Sequence, residues 1–247
     1  MDRERFLRLI KAPISDEELD RVFDGKIERL LTVANTKTMK GEKKGYLTAI
    51  LHLSPSDRSG FNVCPMASKG CRAACLNTAG RGRFDKTQAA RRRKTHWYMA
   101  RREEFIDQLA HEIERHHRAA WAKGLLACVR LNGTSDIPWE TRAPGLFREF
   151  PGVQFYDYTK VPSRPLDIPN YHLTFSLSES NEIHARDELS RGCNVAAVFF
   201  ERPENFLGYP VVDGDESDLR FLDPPGVVVG LTAKGEAKSD TSGFVQL

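Results

Sequence analysis

The chain has 247 residues and a mass of 27.9 kDa, which suits one large domain or two small ones. Its 40% hydrophobic and 29% charged residues can build a core, which excludes a disordered chain, and the lack of any run near 18 apolar residues excludes a membrane-spanning helix. The net charge of +3, from 37 basic and 34 acidic residues, by itself points to no charged partner.

The first twenty residues, MDRERFLRLIKAPISDEELD, are charged throughout and lack the apolar stretch of a secretory signal, so a cytoplasmic protein is expected. Residues 2–12 and 16–33 carry leucine and isoleucine at helical spacing, with Ser15 placed to cap the second helix. Residues 1–34 are therefore read as a helical extension and 35–247 as a single domain. A lysine-rich turn opening on NTKT (Asn35–Thr38) leads into an apolar strand, Tyr46–Leu53, and a long loop follows over 54–83. Residues 85–123 contain no proline or glycine and read as one or two long helices ending at Gly124. Strands then follow at 125–131, 153–158, 171–177, 194–200 and 227–231, with crossover helices over 141–149 and 181–191. Several strands are apolar almost throughout, as strands buried on both faces must be. No internal repeat interrupts this order. The expected fold is α/β, a partial (β/α)6 TIM-like barrel with N-terminal helices, with a doubly wound sheet as the alternative.

In parallel α/β folds ligands sit at the carboxyl ends of the strands. Those ends are unusually polar here. Arg130, Asn132, Thr134, Ser135 and Asp136 follow the second strand, and Thr159 and Lys160 the third. Ser176, Ser178 and Glu179 follow the fourth, and Lys234 the last. Any one of them suits a turn or a helix cap. Together they mark one mouth.

Three of the five cysteines lie within twelve residues, as Cys64-x6-Cys71-x3-Cys75, directly after the first long strand. A chain this large needs no disulfide staples, so a reducing compartment and metal or redox chemistry are expected. Three soft thiolates leave one coordination position open, which suits a four-iron cluster with one iron available to a ligand. Gly60 and Gly70 let backbone approach such a cluster. A structural zinc site is the alternative and requires a fourth ligand. Cys128 and Cys193 sit in or against apolar strands and read as small core residues. Between Arg81 and Arg102 nine basic residues face one acid, Asp85. That stretch reads either as an anion-contacting surface or as a solvated face paired with Glu103, Glu104, Glu112 and Glu114. His116 and His117 read as a surface pair. Asp213, Asp215, Asp218 and Asp223 lack the spacing of a calcium loop and read as a turn before the last strand.

The blocks NTKT, GYLTAILHLSPSD, CPMASKGCRAACL, RLNGTSD, DGDESDLRFLDP and GLTAKG resemble a phage-encoded family known as gene product number eighty-eight, over roughly residues 33–235. That resemblance implies a protein of the host-cell cytoplasm and no stated activity. More distantly, the order of motifs is similar to radical-SAM-like proteins near the spore photoproduct lyases: a cysteine loop, then Ser135-Asp136, then Thr159-Lys160, then IPNYHLTFSLSESN. This likeness implies a barrel of the radical-SAM type, with Cys64, Cys71 and Cys75 holding a [4Fe-4S] cluster. It places Ser135 and Asp136 at the amino group of S-adenosylmethionine and Ser176 and Ser178 near its ribose. Lys160 then faces the same cavity. Asp136 and Lys160 are the catalytic candidates, and the strand-end rim itself, apart from the likeness, adds Arg130, Asn132 and Glu179 as general substrate or cofactor contacts. The chain departs from the usual C-x3-C-x2-C spacing, and Ala74 stands where an aromatic precedes the last cysteine. The functions so implied are radical chemistry on S-adenosylmethionine, or electron transfer, sensing or small-molecule reduction at the open iron. A nucleic-acid-binding accessory protein with structural zinc is the third reading. The expected partners are a small molecule at the iron, an electron donor, or nucleic acid along 81–102, and no membrane.

Overall fold

Every apolar run singled out above becomes a strand of one sheet. A computed structural model describes residues 1–24, 29–33 and 41–247; the NTKT block lies outside the described residues. The strands are β1 (Leu31–Thr32), β2 (Tyr46–Leu51), β3 (Leu126–Arg130), β4 (Gln154–Thr159), β5 (Tyr171–Ser176), β6 (Val195–Phe199), β7 (Asn205–Phe206), β8 (Tyr209–Asp213), β9 (Val228–Thr232) and β10 (Val245–Gln246). They form a ten-stranded sheet in the order β1-β2-β3-β4-β5-β6-β9-β8-β7, with β10 pairing β6. β2, β3, β4, β5, β6 and β9 run parallel, each beside the next. β1 and β7 add antiparallel to the edges, so the sheet of this mixed α/β fold is open.

The lack of hydrophobic alternation follows from burial on both sides. On one face Ala49, Leu51, Val129 and Phe155 pack against Trp97, Phe105, Leu109 and Ile113 of the helices Asp85–Ala100 and Arg102–Ala122. On the other, Cys128 and Tyr156 meet Leu219, Tyr46 and Phe221. Cys193 packs into a further cluster with Phe175, Val195 and the helix Glu182–Ser190. The reading of Cys128 and Cys193 as core thus agrees with their positions. The N-terminal helices Arg3–Leu9 and Asp16–Phe23 bury Phe6, Leu19 and Val22 against Phe61 and Ala100. Ser15 caps the second of them, its hydroxyl accepting the Glu18 N–H.

Three expectations need correction. The second N-terminal helix does not reach residue 33: it ends at Phe23, and Leu31–Thr32 pairs with Ile50 and Leu51. The leucine spacing is shared with this strand because Glu112, on a helix 82 residues further along, accepts the Leu30 and Leu31 N–H groups at 2.8 Å each. His116 is not a surface residue. It is 5% exposed, and its ring bonds the Leu47 carbonyl at 3.0 Å. Burial lowers its pKa, so it is a neutral core imidazole. Finally, the acidic segment is more than a turn. It opens with β8, which lies parallel to β9 and carries the segment to the sheet's carboxyl end. Pro210 hides that strand from a sequence reading, because proline within a run argues against a strand. Here it sits in the short antiparallel pair with β7.

Glu112→Ala leaves two buried N–H groups without an acceptor. A loss of about 3 kcal/mol of unfolding free energy is expected, read by urea denaturation of the variant against wild type.

Candidate functional site

A cavity of about 380 Å³ opens at the carboxyl ends of the parallel strands. Four walls enclose it.

The first wall is the cysteine loop. Cys64, Cys71 and Cys75 all line the cavity. Ser68 caps the short helix Lys69–Ala73, its hydroxyl accepting the Cys71 N–H at 3.1 Å. The Ser56 N–H donates to the Cys64 sulfur at 3.2 Å, from a residue held at φ 52. Burial pushes the Cys64 thiol up to about 12, against the pull of that N–H and with Asp136, Cys75 and Cys71 adding to the rise. Burial raises Cys75 as well. Buried thiols crowded together stay protonated unless a cation takes up the charge. The three sulfurs share a wall rather than a point: among the described residues no three His, Cys, Asp or Glu side chains converge as a metal-holding group. No cysteine is in a disulfide.

The second wall is the NGTSD turn after β3. Asn132 organises it. Its Oδ1 accepts from Ser135 Oγ at 2.8 Å, Ile137 N–H at 2.9 Å and Trp139 Nε1 at 3.3 Å. Its own N–H and Nδ2 donate to Asp157 at 2.6 and 3.2 Å. Gly133 is needed for closeness, since a Cβ there would lie 2.7 Å from the Leu51 carbonyl oxygen. The turn in turn holds the cysteine loop: Thr134 Oγ1 donates to Leu53 O and the Asp136 N–H to Val63 O. Asp136 accepts from Thr159 Oγ1 at 2.7 Å and the Lys160 N–H at 2.8 Å. Burial raises its pKa against those bonds and the Arg164 guanidinium 3.7 Å away. Asn132, Ser135 and Asp136 therefore line the cavity while also bracing its frame.

The third wall comes from β4, β5 and the C-terminal segment. Lys160 is 9% exposed and its ammonium donates to Ser176 Oγ at 2.7 Å, 5.6 Å from the centre of the Phe244 ring. The fourth wall comes from β3, β8 and β9. Arg130 pairs with Asp218 at 2.9 Å and lies 4.6 Å from the Tyr158 ring centre. Burial opposes its charge, but Asp218 keeps it a cation. Lys234 pairs with Asp215. Burial works against ionising Asp215, but the bonds from Lys234 and Thr232 hold its carboxyl down at about 2.

Of the rim residues expected from sequence, Arg130, Asn132, Ser135, Asp136, Lys160 and Ser176 thus meet at the cavity. Ser178 and Glu179 do not line it. Ser178 is buried behind the turn, and Glu179 points to the cysteine helix. Sequence reasoning missed the contributions of Ser217 and Asp218, which the acidic block signalled, and of Phe244, which nothing signalled. The basic stretch is split. Arg81, Arg83 and Lys86 are exposed, whereas Arg91 turns inward to Asn77 beside Cys75 and Lys94 donates to the Leu30 carbonyl. Of the four glutamates expected to pair with the stretch, Glu104 bonds Arg101, and Glu112 is turned into the core.

Asp157, wholly buried beneath the second wall, has its carboxyl pushed up to about 7 by burial, against the Asn132 N–H and the Tyr171 hydroxyl. A raised carboxyl favours folding fully below its unfolded pKa near 3.8 and loses that advantage as pH rises toward 7. Asp157→Asn lacks this titration. Wild type should therefore lose stability relative to the variant between about pH 4 and pH 7, by on the order of 4 kcal/mol, in denaturation series at the two pH values.

No helix among the described residues is long and apolar enough to cross a membrane. No curated protein and no solved structure matches the chain significantly. A family model described as Gene product 88 matches residues 29–246. That span takes in all ten strands and all four cavity walls, and by it the chain belongs to the Gene product 88 family.

Proposed function

We propose that this protein is an iron–sulfur protein that holds a [4Fe-4S] cluster through Cys64, Cys71 and Cys75 and presents its unligated iron to a small molecule in the cavity. One observation carries the reading: three cysteines from one loop line a cavity big enough for a small ligand, and the other two are buried in the core elsewhere. The donors are of the right kind for the group, and because they lie along one wall, cluster uptake would have to draw the three sulfurs together. The Cys64 and Cys75 thiols, raised by burial, gain most from a cation, and the Arg58 and Arg91 charges near Cys75 offset the negative charge of a thiolate-bound cluster. Six parallel strands in chain order, with the cysteine loop after the first, support a partial (β/α)6 TIM-like barrel of the radical-SAM type.

When bound, the cluster supplies single-electron chemistry and a Lewis-acidic iron. The chain's own residues orient what enters. Lys160 with Ser176 offers a buried cation and a hydroxyl, Phe244 an aromatic wall, and Arg130 with Asp218 a closed ion pair. S-adenosylmethionine is the narrower form of this reading. Asp136 and Ser135 would contact its amino group with oxygens that already accept or share bonds from Thr159, Lys160 and Asn132. Non-radical redox chemistry uses the same cavity without that requirement. The redox reading is preferred to nucleic-acid binding with structural zinc, because the basic stretch is broken: Arg91 turns inward to Asn77 and Lys94 donates to the Leu30 carbonyl. An electron-donor protein is the implied partner, and a reducing cytoplasm, that of a host cell for a phage-borne gene, is the compartment that keeps five thiols free.

Anaerobic reconstitution should give about four iron and four sulfide per chain with a reducible EPR signal. Cys64→Ser, Cys71→Ser and Cys75→Ser should each lose it, while Cys128→Ser and Cys193→Ser keep it. A colourless protein with one zinc would replace this reading by the structural-zinc one. An EPR change on adding S-adenosylmethionine selects the radical form, and its absence selects the non-radical form.

A further inference from the structure

Glu179 lies in the turn after β5, which Asn181 holds shut: its Oδ1 accepts the Ser178 N–H at 2.7 Å and its Nδ2 donates to the Ser176 carbonyl at 3.1 Å. So fixed, the Glu179 carboxylate reaches out of the cavity and onto the cysteine loop. One oxygen accepts the Gly70 N–H at 2.8 Å, and the other accepts the Ser68 hydroxyl at 2.7 Å. Ser68 Oγ passes the contact on, accepting the Cys71 N–H at 3.1 Å. Glu179 thus touches the residue before Cys71 directly and Cys71 itself through one hydroxyl, from a position 108 residues later in the chain.

The C-terminal segment packs against the same face of this helix, since a Cβ on Gly70 would meet it and the Glu179 carboxylate together. A Cβ on Gly70 would lie 2.6 Å from Phe244 Cβ and would also overlap Ser242. Asp240 fixes that segment by accepting the Ser242 hydroxyl and the Val245 N–H, and Val245–Gln246 adds to β6 as β10. The cysteine helix is therefore held at Gly70 by a carboxylate on one turn together with a strap anchored to the sheet. Helix propensity cannot account for this placement, because five residues are too few to hold a helix by themselves.

We infer that Glu179 is a positioning residue for the metal-binding segment, fixing Cys71 through Ser68 and Gly70 rather than touching any ligand. Its consequence for function rests on the iron–sulfur reading; its geometry does not. The pair of bonds sets which way Cys71 faces before any metal arrives. A pre-placed thiol lowers the ordering cost of metal binding.

The test separates the two. In metal-free protein, iodoacetamide alkylation of Cys71 is followed by mass spectrometry, with Cys64 as the internal reference, since its sulfur is held by Ser56 and not by Glu179. Glu179→Ala should raise the Cys71 rate roughly three- to tenfold with Cys64 unchanged, the range for losing a charge-assisted bond that is partly in solvent. Glu179→Gln, whose amide oxygen still accepts from Gly70, should fall between. In the reconstituted protein Glu179→Ala should shift the EPR signature or midpoint potential, while Glu179→Gln restores it in part. Circular dichroism confirms the fold of each variant. Should Glu179→Ala fail to fold, Ser68→Ala severs the same relay and should give the same Cys71-specific rise. A Cys71-to-Cys64 rate ratio unchanged from wild type in a folded Glu179→Ala variant overturns the inference. A wild-type chain that takes up no iron overturns the cluster reading alone, because the alkylation ratio still decides the placement of Cys71.

Discussion

The site depends on one buried carboxylate. Asp157 sits in the middle of β4 with no access to water, and every polar group around it is a donor: the Asn132 N–H, the Asn132 amide and the Tyr171 hydroxyl. A buried acceptor of this kind is stable only when fully bonded, so its partners are held in turn. Asn132 is bound on one side and so can organise the NGTSD turn with the other. Tyr171 also accepts from Arg164, which forks onto Glu140 at 2.9 Å and reaches Asp136 at 3.7 Å. The network links β3, β4 and β5 at the end where a ligand has room. Its cost is the desolvation of Asp157, which burial pushes toward the neutral acid.

From that network the rest of the cavity is assembled by contacts between distant segments. The NGTSD turn reaches back to the first long strand and its loop through Thr134, Asp136 and the Gly133 N–H, which donates to Leu51 O. Cys64 is thereby framed by β3. Cys71 is framed instead from β5 and the C-terminal segment, by Glu179, Ser242 and Phe244. A loop of three cysteines with little regular structure of its own is thus held from two sides by parts of the chain that fold around it.

Much of this was legible because parallel strands buried on both faces leave an unmistakable record of apolar runs. All six long strands were placed to within two residues of their observed ends. The polar residues after them were recognised as a rim, because a turn alone does not require so many. What stayed illegible shared one feature. Leu30 and Leu31 look helical until the Glu112 carboxylate takes their N–H groups. His116 looks like half of a surface pair until the helix rotates it onto Leu47. Pro210 argues against a strand until β7 pairs with it at the edge. In each case the deciding partner lies far away in the chain or outside the local pattern.

The sequence by itself determined the class of fold, the succession of parallel strands and the grouping of three cysteines beside a polar strand-end rim. These follow from short-range rules: hydrophobic period, residue volume, and the chemistry of each side chain. Only the tertiary structure decided which rim residues face the cavity and which brace it. Asn132 and Asp136 do both, Ser178 is hidden, and Glu179 turns to the cysteine helix. The physical reason is that a polar side chain in a folded protein goes to the partner that best replaces its lost water, and that partner is set by packing between segments that the linear order does not bring together.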